Sequence, residues 1–441
     1  SKLQELFIAI YIFSIITLIA LLKVKLITQN VSHKMCHTKC VTQNVSHKMC
    51  EKCCIFAKRK IDMSSDFNPF PISGYYGPEY FCDREDELAL LRRNIRSNIN
   101  TTMFSVRRLG KSGLIYHLMD SYSRDRNVVC LCVDIFSSTS LKDFTNMIAT
   151  TVYNRFPETN TFGKKIIKAI TSLRPVISYD TLTGDPEVSF EYSGISQYEK
   201  TLQQIFSFLD TQGKKIVFAI DEFQQIIEYP EKNTEALLRT YMQTLKNTYF
   251  IFCGSNQKLM HEIFNNQKRP FYASCSNISL GFIGKDKYAS FIKRLFTQNK
   301  RTIKDEAIYF ILEFTHCHTF YTQYLCNVLY ASGYKHISLT EVYKCAMEVL
   351  KLNESTYYQY RSLLSRQQWT LLIAFAKEER VQQPHSATFI QTYKLGTSSL
   401  ISRGLSALIE KGLLYQNSSI ENPYYTIYDK FLMRWLQRLQ S

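Results

Sequence analysis

The chain has 441 residues and a mass of 51.6 kDa, with 45% hydrophobic, 14% aromatic and 21% charged residues. Those proportions exclude a disordered or fibrous body, and at roughly 100–200 residues per domain the length suits several domains. Lys and Arg number 54 against 38 Asp and Glu, giving +16 and a pI near 9.1, which favours an anionic partner: nucleotide, nucleic acid or membrane surface.

Residues 1–62 differ in character from the rest. They hold 10 Lys/Arg, 3 Asp/Glu and 5 of the 13 cysteines. Leu6–Leu22 is an uncharged apolar run of 17 residues, short against the about 20 that a membrane helix needs. Lys23 and Lys25 follow it, so an inserted run leaves the remainder in the cytoplasm. The sequence TQNVSHKMC stands at Thr28–Cys36 and again, unchanged, at Thr42–Cys50. Cys50 and Cys53 have zinc-finger spacing, but no second pair completes a site. The segment reads as a disordered extension ahead of a start at Met63, with an inner-membrane anchor through residues 6–22 as the alternative. The remaining cysteines follow no regular spacing, which points to a reducing compartment and a cytoplasmic location.

From Met63 to Tyr80 a Pro-, Gly- and Tyr-rich segment leads in. Asp83 is the expected cap of a helix carrying Leu88, Leu91 and Ile95 on one face. Thr101–Ser105 reads as a short strand running into Ser105-Val-Arg-Arg-Leu-Gly110-Lys111-Ser112-Gly113, and a helix follows. This is the spacing of a phosphate-binding loop, with Ser105 in place of the first glycine. In such a loop, backbone N–H groups from Ser105 through Leu109 and Gly110 to Gly113 surround the β- and γ-phosphates. Lys111 adds positive charge there, and Ser112 offers a hydroxyl to Mg²⁺. Arg107 and Arg108 are either further phosphate contacts or a solvated basic face.

Val128–Phe136 and Ile216–Ile220 read as buried strands, and the second ends at Asp221-Glu222, a Walker B pattern. Asp221 is assigned to Mg²⁺ and Glu222 to the attacking water. After an expected helix at Thr234–Asn247, a further strand, Tyr249–Gly254, ends at Ser255, where a small polar side chain can contact the γ-phosphate or the water. Strand–helix alternation predicts an α/β fold, a doubly wound parallel sheet.

Apolar residues at helical spacing over Lys285–Phe296, Lys304–Thr315 and Tyr321–Ala331 predict a helical lid. The C-terminal part reads as a winged helix-turn-helix. Its expected helices are Gln367–Lys377, Ser386–Tyr393 and Ser398–Lys411, the last burying Leu400, Ile401, Leu405, Leu408 and Ile409. A wing hairpin follows around Asn417–Pro423, and then a closing helix. Ser398, Ser399, Ser402, Arg403 and Lys411 are the residues the third helix offers to double-stranded DNA or to a protein partner. The domain boundaries read 63–280 for the core, 281–359 for the lid and 360–441 for the winged helix.

From about Asn68 onward the chain resembles the bacterial branch of the archaeal-type P-loop ATPase family, within the AAA+/STAND group. The motifs that carry the resemblance are Phe81-Cys-Asp-Arg-Glu-Asp-Glu-Leu88, Ser105–Ser112, Ile220-Asp-Glu-Phe223, Phe252-Cys-Gly-Ser255 and Pro270-Phe-Tyr272. Thr315–Gln323 resembles the family's adenine-side motif, with Thr319 where the family usually has proline. The resemblance implies binding of ATP and ADP, Mg²⁺-dependent hydrolysis, self-association or a protein partner, and Arg269 as an arginine finger. Two functions stand open: an ATP-hydrolysing switch whose winged helix meets DNA or a partner, and a nucleotide-gated module with little turnover.

Overall fold

The computed structural model describes residues 67–155, 176–180, 183–190, 195–417 and 422–439. The apolar run at Leu6–Leu22, the duplicated nonapeptide with its cysteines and the tip of the expected wing lie outside those residues.

The first helix, α1 (Glu85–Arg96), begins after two left-handed residues, Asp83 and Arg84 (φ 60° and 80°). Asp83 is therefore not the cap that its type suggested. Its carboxylate turns to Lys287 instead, 2.6 Å away. Arg84 occupies the cap position, buried, and donates to the Gly281 carbonyl at 2.7 Å and to Glu87 at 2.8 Å.

Strand β1 (Thr101–Phe104) leads through the glycine-containing loop into α2 (Lys111–Ser121), and β2 (Val128–Asp134) leads into α3 (Leu141–Arg155). A small antiparallel hairpin of β3 (Val176–Tyr179) and β4 (Pro186–Ser189), which the sequence reading did not anticipate, packs on α3. Then come α4 (Ile195–Asp210), β5 (Lys215–Asp221), α5 (Thr234–Thr244), β6 (Thr248–Gly254), α6 (Gln257–Asn265) and β7 (Ser276–Ser279).

Strands β1, β2, β5, β6 and β7 form one parallel sheet in the order β2-β5-β6-β1-β7. Both faces of β5 are covered, which is why its sequence is an unbroken apolar run rather than an alternation. Ile216, Phe218 and Ile220 pack with α3 and α4, through Phe144, Ile148, Leu202 and Phe206. Val217 and Ala219 face the other way, toward α1 and α2, through Leu91, Ile95, Leu114 and Leu118.

Past Leu280 the chain is helical: α7 (Lys285–Gln298), α8 (Asp305–Phe314), α9 (Thr319–Ala331), α10 (Leu339–Leu352) and α11 (Glu354–Leu363). Two-residue strands β8 (Thr302–Ile303) and β9 (His336–Ile337) pair in parallel among them. The last part has α12 (Arg366–Glu378), α13 (Ala387–Thr392), α14 (Ser398–Glu410), an antiparallel wing of β10 (Leu414–Asn417) and β11 (Tyr424–Ile427), and α15 (Lys430–Arg438). Side-chain caps start several of these helices. Ser365 closes a capping box with Gln368, and Asp429 accepts from the N–H groups of Phe431 and Leu432.

Ile401, Leu405 and Leu408 of α14 are buried, as the periodicity requires, but Ile409 is 40% exposed. Residues 401, 405 and 408 share one helical face, and 409 is turned about 100° from its neighbour. Gly404 completes the buried face, because a Cβ there would stand 2.9 Å from Leu371 Cδ2 on α12.

One continuous apolar core joins the helices after Leu280 to the winged helix, including Ile311, Leu325, Val342, Leu372, Leu408, Leu432 and Leu436. A polar clamp fixes the same junction. Glu379 meets His316 at 2.9 Å and also pairs with Arg434. Arg434 in turn donates to the carbonyls of Phe314 (2.9 Å) and Glu313 (2.7 Å).

Candidate functional site

In a parallel sheet all carboxyl ends share one edge, and ligands bind there where strand order switches. Here β6 lies between β1 and β5, with Phe104 opposite Gly254 and Ile220 opposite Phe252. The loop after β1, Ser255 after β6 and Asp221-Glu222 after β5 therefore come to one edge. Sequence separations of over 100 residues are closed by the sheet order alone.

The loop wraps from Ser105 to Gly113. Arg108 and Gly110 both have positive φ, 59° and 101°. Such a value is ordinary for glycine and uncommon for arginine, and strain of this kind concentrates at functional loops. Nothing lies within 4 Å of the place a Cβ would take on Gly110, so the loop is open on that side. Leu109 is buried, so this residue contributes backbone rather than side chain. Ser105 is buried with its hydroxyl turned to the Val106 carbonyl at 2.9 Å. Arg107 and Arg108 are exposed. The Arg108 guanidinium lies 4.4 Å from the centre of the Phe320 ring, a cation–π contact toward α9 rather than toward the loop interior.

Lys111 is 6% exposed, and among the described residues its ammonium makes only long hydrogen bonds, 3.3 and 3.4 Å, to Ser105. Burial pushes its pKa below the ordinary lysine value, against the pull of Asp221 and Glu222. A buried ammonium with such loose partners is poised for an anion. Ser112 Oγ donates to Asp221 Oδ2 at 2.6 Å, and burial raises the Asp221 pKa against that bond. Two hard oxygen donors thus face each other beside the lysine, a set suited to a hard divalent cation. Among the described residues no group of three or more His, Cys, Asp and Glu could hold a metal ion.

Glu222 sits in the left-handed region (φ 54°, ψ 38°) immediately after Asp221, whose Oδ1 accepts from its N–H at 3.0 Å. Its Oε2 accepts from Ser255 Oγ at 2.7 Å and from Gln224 Nε2 at 2.5 Å. Gln224 was not singled out in the sequence. Its signal is a polar side chain directly after the Asp-Glu-Phe strand end, where an apolar helix face would otherwise begin. Thr319 Oγ1 donates to the Leu109 carbonyl at 3.1 Å, a tie between phosphate loop and lid that proline could not make. Arg269 pairs with Glu235 at 2.5 Å, and the sequence carried no sign of that partner. On α14, Ser398, Ser399, Ser402, Arg403 and the adjoining Lys411 are all exposed.

A family profile described as "ATPase domain predominantly from Archaea" matches residues 81–315, more than half of the chain. The chain belongs to this ATPase family. A second profile, described as "Probable winged helix domain", matches residues 355–438. No curated protein matches the chain. Among solved structures, the Walker-type ATPase of Pyrococcus abyssi is similar at 17% identity and TM-score 0.58, over 83% of this chain and 99% of that one. The ORC2 protein of Aeropyrum pernix, solved as ADPNP–ADP complexes, is similar at 13% identity and TM-score 0.50, over 84% and 96%. At such identities these likenesses show the fold, a P-loop NTPase sheet with helices and a C-terminal winged helix.

Proposed function

We propose that the chain binds ATP with Mg²⁺ and hydrolyses it, and that the nucleotide state sets how the winged helix meets DNA or a protein partner. The observation that carries the reading is the meeting of Lys111, the Ser112–Asp221 pair and Glu222 at one sheet edge. Membership in an ATPase family and a neighbour solved with ADPNP and ADP support the nucleotide.

Lys111 and the N–H groups at the start of α2 bind the phosphates, and the helix dipole adds to their attraction. Ser112 and Asp221 would hold Mg²⁺, which when bound neutralises charge on the phosphate oxygens. Glu222 orients the attacking water and takes its proton. Ser255, now on Glu222, stands where it can turn to the γ-phosphate.

The exposed Arg403 and Lys411 on and beside α14, with a net +5 from Tyr360 to Ser441, support contact with duplex DNA. One observation favours the low-turnover alternative: Arg269 is held by Glu235 and must leave it to serve a neighbouring subunit as an arginine finger. Steady-state ATP turnover with and without duplex DNA separates the two readings. Turnover that rises with DNA supports the switch; binding without turnover in either condition supports the gated module.

A further inference from the structure

We propose that Gln224 is the positioning residue that sets the orientation of Glu222; the inference rests on the reading that Glu222 activates water. Two side-chain donors on Glu222, Gln224 Nε2 and Ser255 Oγ, converge on the same oxygen, Oε2, where the Ser255 N–H adds a longer contact at 3.4 Å. Among the described residues no donor is seen on Oε1, so that oxygen is left for the water. Two features show that Gln224 is held in place for this bond. It is buried, and its own Oε1 is buried with no partner among the described residues. A residue selected only to pack there would not leave an acceptor unpaired. The end of β6 is also shaped around it: a Cβ on Gly254 would stand 2.3 Å from Gln224 Oε1 and 2.5 Å from Met260 Sδ. The strand gives up a side chain at the position where the amide passes beneath it.

The two donors have different tasks. Ser255 is the one at the strand end beside the phosphate loop, so a γ-phosphate competes for its hydroxyl. Gln224, packed against Gly254, stays on Oε2 when that hydroxyl leaves, together with the longer contact from the Ser255 N–H. With nucleotide bound, Glu222 is then held from one side by Gln224 and presents Oε1 to the water.

The test is ATP turnover by the full chain and by its Gln224→Leu, Gln224→Glu and Glu222→Gln variants, with folding followed by thermal melting. Gln224→Leu is expected to lower kcat by about tenfold to hundredfold while the KM for ATP stays within about twofold, since only alignment is lost. Gln224→Glu keeps the size but places a second carboxylate against the first. It is expected to move the acid limb of the kcat–pH profile to higher pH, because like charges raise a carboxyl pKa. Wild-type kcat in Gln224→Leu, or a fall matched by lost nucleotide binding and a lower melting temperature, overturns the inference. So does an unmoved acid limb in Gln224→Glu. If the wild type turns over no ATP, or if Glu222→Gln turns over normally, the reading of Glu222 itself fails instead.

Discussion

Replacing Lys111 by methionine separates the binding role of its charge from its structural cost. The ammonium is 6% exposed, and burial already pushes its pKa down, so in the nucleotide-free protein the ionised form is a net burden. Methionine has similar length and no charge. Lys111→Met is therefore expected to melt at the same temperature as the wild type or higher when no nucleotide is present. ATP reverses the comparison. A charge-assisted hydrogen bond is worth about 1.5–3 kcal/mol, and two such bonds to phosphate lost together give about 3–6 kcal/mol. That corresponds to binding weaker by roughly 100-fold or more. At an ATP concentration about 100 times the wild-type Kd, the wild type gains about 2.7 kcal/mol of stability and the variant gains almost none. Calorimetric titration and thermal melting with and without ATP read both effects. Affinity retained within about threefold would refute the placement of the phosphates on Lys111. A variant that melts lower without nucleotide would refute the electrostatic argument.

Three further outcomes are expected. Gly254→Ala forces a methyl group against Gln224 and Met260, and is expected to cost about 1–3 kcal/mol in chemical denaturation and to lower turnover through Glu222. His318 is fully buried, and burial, with Lys430 nearby, pushes its pKa from 6.5 down to about 3. The unfolded chain therefore binds the proton first, and stability is complete above about pH 6.5 and falls below it, by about 2 kcal/mol at pH 5. Melting against pH shows the slope, and His318→Leu should flatten it. Arg403→Ala with Lys411→Ala should weaken duplex DNA binding and reduce the log–log salt slope by about 0.9 per lost phosphate contact, with ATP affinity unchanged. Absence of salt-dependent binding by the wild type leaves the winged helix as a partner-docking module.

The parts of the fold that were legible in the sequence are those where local physics decides. The apolar run ending at Asp221 is buried on both faces, and the loop from Ser105 to Ser112 opens a helix, as their patterns required. Ser386 caps its helix for the same local reason. What the sequence hid is set by distant partners. Asp83 has the right chemistry for a cap but meets Lys287, over 200 residues away, and the backbone turns left-handed instead. Glu379 meets His316 and Arg434 only after the lid and the winged helix have packed. Arg269 finds Glu235 the same way. Within the site, the sheet brings Ser112, Asp221 and Glu222, set out by motif spacing, to one edge. Gln224 was not legible, because its importance lies in one hydrogen bond and in the missing side chain of Gly254. The separation of lid from winged helix drawn at residue 360 is a division by pattern, whereas the apolar core runs across it without a break.

The central claim is that Asp221-Glu222 divides its work, with Asp221 on the cation and Glu222 on the water. Glu222→Gln in the full chain tests it most directly, by measuring ATP binding and single-turnover hydrolysis on the same sample. The account predicts affinity within about threefold of the wild type and hydrolysis slower by at least about 100-fold, the scale of a lost general base. Hydrolysis at the wild-type rate, or loss of ATP binding along with it, contradicts that division.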